Sequence, residues 1–106
     1  MNVSFQQMTN MIKQNVHEVE PSAKVLLYGS RARGEANQDS DWDILVLSEK
    51  DNLTFKEEEQ FMDHICDVIV NTGQAIQLFA YGTKDWHQNH SITPFYKSVQ
   101  SEAILL

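Results

Sequence analysis

Two hydrophobic periods alternate along this chain. From position 3 to 19, Val3, Phe5, Met8, Met11, Ile12, Val16 and Val19 recur mostly three and four residues apart, which predicts an amphipathic helix. Pro21 and Ser22 break it. Lys24-Val25-Leu26-Leu27-Tyr28 is a short apolar run ending at Gly29, the pattern of a buried strand followed by a turn. Positions 30 to 40 are polar and predict a short helical turn and then a loop. Asp41 to Leu47 predicts a second strand, alternating in its first half and wholly apolar in its second. After a polar loop, Thr54 with Glu57 three residues on forms a capping-box signature for a helix carrying Phe55, Met62, Ile65, Val68 and Ile69, which Gly73 would stop. Ala75 to Tyr81 predicts a third strand. Thr83 is expected to cap a short helix holding Lys84, Asp85, Trp86 and His87. Thr93-Pro94 opens a last helix with Phe95, Tyr96, Val99 and Ala103 inward. The order α-β-α-β-α-β-α-α predicts an α/β (α+β) fold, a small mixed sheet of three to four strands with helices packed on it.

At 106 residues the chain is long enough for one core, so positions 1–106 are expected to form a single domain. A composition of 42% hydrophobic and 22% charged residues excludes wholesale disorder. No apolar run approaches the roughly 20 residues of a membrane span. The start Met1-Asn2-Val3-Ser4-Phe5-Gln6 lacks a basic stretch and an apolar run, so no signal peptide is expected and a cytoplasmic location is. The single cysteine, Cys66, agrees with a reducing compartment and is expected to be a small core residue.

Acidic residues outnumber basic ones 15 to 8, a formal charge of −7. Nucleic-acid binding draws most of its affinity from lysine and arginine, so nucleic acid is not expected as a partner. Both arginines of the chain, Arg31 and Arg33, fall in one short loop. They read either as solvated turn residues or as the mark of a local anionic ligand.

The chemistry concentrates in Gly29-Ser30-Arg31-Ala32-Arg33-Gly34 and Ser40-Asp41-Trp42-Asp43. A glycine at the end of a strand permits a sharp turn and a close ligand. Ser30 then opens a helical turn whose free N–H groups suit a phosphate. Asp41 and Asp43, two apart on a strand, point to one face. Two adjacent carboxylates repel unless they share a cation, and Mg²⁺ binds through one or two carboxylates together with substrate phosphates. An Asp-x-Asp pair alone is common, and a Gly-Ser turn alone is usually only a turn. The combination outlines a metal–nucleoside triphosphate site.

These residues resemble the nucleotidyltransferase superfamily related to DNA polymerase beta, and within it the minimal single-domain members. The likeness is close over positions 24 to 47 and extends in element order to 81. It implies transfer of a nucleoside monophosphate from a triphosphate, with ATP the expected nucleotide, to a hydroxyl, with release of pyrophosphate. It implies that Gly29, Ser30, Arg31, Arg33 and Ser40 hold phosphates and that Asp41 and Asp43 ligate Mg²⁺, or Mn²⁺ in its place. Stand-alone members often pair with a small helical protein as toxin and antitoxin, so a helical partner protein or a homo-oligomer is expected. Trp86, Tyr96 and Ile104-Leu105-Leu106 are candidates for that contact.

One departure stands out. Relatives carry a third carboxylate on the next strand, and here the matching position holds Gln77, expected on a central strand beside Asp41 and Asp43. Asp67 would supply the acid only if the stretch around it were a strand, whereas the spacing of Met62, Ile65 and Ile69 favours a helix. The alternative function is therefore a degenerate, catalytically weak nucleotide-binding or partner-binding module. His17, His64, His87 and His90 show no metal-ligand spacing. Glu57, Glu58 and Glu59 read as a solvated first helical turn, and Trp42 as a packing residue on the face opposite the aspartates.

Overall fold

The computed structural model describes residues 3–106. Met1 and Asn2, on which the expectation of no signal peptide partly rests, lie outside that range. Helix α1 (Phe5–Val19) starts two residues later than its apolar pattern. Ser4 caps it: Ser4 Oγ accepts from Gln7 N–H and Gln7 Oε1 accepts from Ser4 N–H. Strand β1 (Lys24–Tyr28) leads through Gly29 into the one-turn helix α2 (Ser30–Arg33). Strand β2 (Trp42–Ser48), helix α3 (Phe55–Thr72) and strand β3 (Ile76–Gly82) follow, each strand shifted one residue from its expected span. Thr54 and Glu57 form the expected capping box on α3, and Gly73 closes that helix at φ 71°.

Helix α4 (Thr83–Asn89) corrects one expectation. Gly82 is its cap, and Thr83 is its first residue, with Oγ1 donating to the Ser48 carbonyl. Helix α5 (Pro94–Glu102) is capped by Thr93 as expected. A two-residue strand β4 (Ile104–Leu105) then pairs with β1, an element the pattern did not indicate.

The sheet runs β3-β2-β1-β4. β1 is antiparallel to β2 and β4, while β2 and β3 are parallel. β3 is thus an edge strand rather than a central one. Alternation along β2 divides the molecule. Trp42, Ile44 and Val46 point into a core with Met8, Ile12 and Val16 of α1 and Phe61, Ile65 and Val68 of α3. Leu45 and Leu47 point the other way, onto Trp86 of α4 and Val99 of α5. Trp86 is fully buried, so it serves the core and is not available as an interface anchor.

Cys66 is exposed, contrary to the core reading. One helical step of about 100° past the inward Ile65 carries it off the buried face. Phe55 and Met62 also lie outside it. Asp67 is exposed on α3, on the far side of the sheet from Asp43, so the strand alternative for that stretch does not hold.

Candidate active site

Gly29 sits where β1 ends, at φ 76° and ψ −159°. Only glycine occupies that region readily. An added Cβ would overlap the Asp43 carboxylate, so Gly29 and Asp43 are in direct contact through the missing side chain. Register explains the approach: Tyr28 is paired with Asp43 across β1 and β2, and Asp43 with Gln77 across β2 and β3. Paired residues in neighbouring strands share a face, so Tyr28, Asp43 and Gln77 form a row on the α4–α5 side.

Asp41 lies just before β2 and is exposed. Asp43 is half-buried, and its carboxyl is pushed above the ordinary range, first by burial, then by the charges of Asp41 and Glu102; Arg33 pulls the other way. Tyr28 is raised as well, mainly by burial and then by Asp43. Negative charge thus gathers around Asp43 from Asp41 and Glu102. That donor set of hard oxygens beside a glycine cradle fits Mg²⁺ together with phosphate oxygens. Among the described residues, no group of three or more His, Cys, Asp or Glu side chains is arranged to hold a metal by itself. Gln77 stands beside Asp43 in register and leaves the site without an acid there.

The phosphate-binding expectations divide. Ser30 opens α2 with its Oγ free of hydrogen bonds among the described residues. Arg31 turns away from the carboxylates. Its guanidinium donates to the Ser40 carbonyl from Nη2 at 2.7 Å and to the Asn37 carbonyl at 3.3 Å, and lies 4.2 Å from the Trp42 ring centroid. Ser40 Oγ accepts from Asn37 N–H at 3.0 Å. Arg31 and Ser40 thus brace the loop that delivers Asp41. Trp42 is buried on the opposite face, as expected, with its indole N–H donating to Gln74.

Arg33 pairs with Glu35 at 3.3 Å and with Glu102 at 2.8 Å. Glu102, from the end of α5, also accepts from the Gly29 N–H at 2.8 Å. Sequence reasoning missed Glu102, and no local signal marks it, because its partners lie 69 and 73 positions earlier. Two prominent grooves lie elsewhere. One follows the β3 edge between Phe55, Met62 and Phe79, the other lies beside Trp42 and Gln74, and neither borders Asp43.

The sequence model of the family described as "Polymerase beta, Nucleotidyltransferase" matches residues 6–100, nearly the whole chain. The chain belongs to that polymerase beta-like nucleotidyltransferase family. A solved chain from "Crystal structure of the toxin-antitoxin with AMP-PNP" has the same fold, with a TM-score of 0.66 over 91% of this chain and 69% of that one. At 16% identity, that likeness speaks for the fold alone. No curated protein matches the sequence.

Proposed function

We propose that this chain is a Mg²⁺-dependent nucleotidyltransferase that moves a nucleoside monophosphate, from ATP, to a hydroxyl on a small helical partner protein. Family membership supports the reaction class. The observation that carries the site is the packing of the Asp43 carboxylate directly against the Gly29 turn, with Asp41 beside it. The turn gives the triphosphate backbone N–H groups and the free Ser30 hydroxyl. Asp41 and Asp43 supply carboxylate oxygens to the cation that accompanies the nucleotide. The acceptor hydroxyl gives up its proton to solvent and its oxygen bonds to the α-phosphorus, while the bond from that phosphorus to the α–β bridging oxygen breaks and pyrophosphate leaves with the bridging oxygen. Mg²⁺, or Mn²⁺, held by Asp41 and Asp43 would supply positive charge to offset that of the phosphate oxygens. The protein's own part is positioning and electrostatic stabilisation, as in phosphoryl transfer generally. The similarly folded chain comes from a toxin–antitoxin structure with AMP-PNP, which agrees with a nucleotide and a protein partner here.

A second reading has an observation of its own. Gln77 beside Asp43 removes a charged ligand and a potential base, which favours a module that binds nucleotide or partner and transfers slowly. Incubation with labelled ATP, Mg²⁺ and the product of the neighbouring gene separates the two. Label on the partner supports the transferase. Nucleotide binding without transfer supports the module. Under the transferase reading, Gln77→Asp speeds transfer by up to about two decades, the rate equivalent of roughly 3 kcal/mol.

A further inference from the structure

The Gly29 N–H and the Arg33 guanidinium converge on one atom. Glu102 Oε2 accepts from both, at 2.8 Å in each case. Its side chain is 20% exposed, so the contact is sheltered but reachable from solvent. The backbone beneath Glu102 is pinned: Ala103 N–H donates to the Val99 carbonyl, Ile104 and Leu105 pair with Leu27 and Leu26, and Leu106 N–H donates to the Val25 carbonyl. The carboxylate is therefore delivered to the turn by a fixed strap, not by chance rotation of a loose tail.

The contact is also electrically divided. Arg33 attracts Glu102, while Asp43, in contact with Gly29, repels it. An oxygen anion that accepts from a backbone N–H and a guanidinium does what a phosphate oxygen does in the same place. The Gly29 N–H does not need a full charge on its partner, since a glutamine oxygen would also satisfy it.

We propose that the Glu102 carboxylate is a placeholder for a phosphate of the triphosphate: nucleotide enters by exchanging a phosphate oxygen for Glu102 Oε2 on the Gly29 N–H and Arg33. This rests on the reading of Gly29 and Ser30 as a phosphate cradle. Only the side chain needs to swing, because the strap is held through its backbone. The exchange sets affinity. Apparent binding weakens by the fraction of chains in which Glu102 has vacated the cradle. A triphosphate accompanied by its cation competes better than a single small anion, because it brings several oxygens and a charge that the aspartates accept.

The test is calorimetric binding of ATP with Mg²⁺ to the wild-type chain and to Glu102→Gln, with the Gly29 amide followed by ¹H–¹⁵N spectroscopy. The glutamine variant is expected to bind on the order of tenfold tighter, about 1.4 kcal/mol. The Gly29 amide resonance of the wild type is expected to move on ATP addition. If wild type binds and the variant binds equally or more weakly, the placeholder fails and Glu102 is instead a structural or cation-holding residue, while the cradle stands. If neither binds, the cradle reading fails and takes this inference with it. Should Glu102→Gln not fold, Glu102→Asp withdraws the carboxylate by one methylene while keeping its charge. Tighter ATP binding by that variant supports the exchange, and unchanged binding overturns it.

Discussion

The two faces of this sheet are built on different terms. The face toward α1 and α3 is a continuous apolar core, from Met8 and Ile12 through Ile44 and Val46 to Phe61 and Ile65, closed by two helices that each carry a capping box. The face toward α4 and α5 buries fewer residues, Leu45, Leu47, Trp86 and Val99. It packs them with rings, Tyr81 5.2 Å and Tyr96 4.9 Å from Trp86 by centroid. At its end it holds the polar row of Tyr28, Asp43 and Gln77. One strand serves both faces, because successive side chains of β2 alternate. The first face supplies stability. The second keeps Asp43 where burial and neighbouring carboxylates disfavour its charge. Perturbed ionisable groups of this kind cluster at functional sites.

Neighbouring positions on β2 probe this contrast most forcefully. Ile44→Ala empties the better-packed face and should cost about 2–5 kcal/mol in denaturant unfolding. A loss well under 1 kcal/mol would mean that face is no better packed than its opposite. Gly29→Ala comes next. Backbone in that region costs a non-glycine residue about 1–3 kcal/mol, and the new methyl also displaces Asp43. The same variant should lose its response to nucleotide; an unimpaired response would separate Gly29 from the site. Thr54→Ala removes a cap from the structural face at a cost of about 1 kcal/mol and should leave nucleotide binding untouched.

The smallest effect has the opposite sign. The folded state holds the Asp43 carboxyl above its unfolded value of 3.8. The folded chain therefore binds the proton more tightly. The stability this group contributes is full below the unfolded pKa and lost as pH rises through the folded one. Asp43→Asn removes that loss, so without metal it should be slightly more stable than wild type at neutral pH. The difference should shrink as pH falls through the carboxylate range. A variant less stable than wild type at neutral pH would contradict the strain assigned to this face.

The grouping of the candidate site's residues was legible in the sequence wherever its parts are local. Gly29-Ser30 and Asp41-x-Asp43 each lie within a few residues, and alternation along β2 fixes which way Asp43 faces. The sheet was legible where strands are long enough to show a period. Ile104-Leu105 has two residues and no period, so β4 was invisible until β1 was seen to pair with it. Glu102 was not legible either, since its partners Gly29 and Arg33 lie 73 and 69 positions away. The surroundings of Arg31 were not legible, because the Trp42 ring and the Ser40 carbonyl reach it only in three dimensions. Cys66 was misread through composition, although the phase of Phe61, Ile65 and Val68 already placed it outside.

The proposed chemistry depends on Asp41 and Asp43 holding a cation for a triphosphate seated on the Gly29 turn. Thermal unfolding with ATP, with and without Mg²⁺, tests it on the wild type and on Asp43→Asn. Ligand at 100 times its dissociation constant stabilises a folded chain by about 2.7 kcal/mol, a shift of several degrees for a domain of this size. That shift is expected for wild type only when ATP and Mg²⁺ are both present, and not at all for Asp43→Asn. An equal shift in both proteins, or one in wild type that ignores Mg²⁺, would contradict the metal-bridged site.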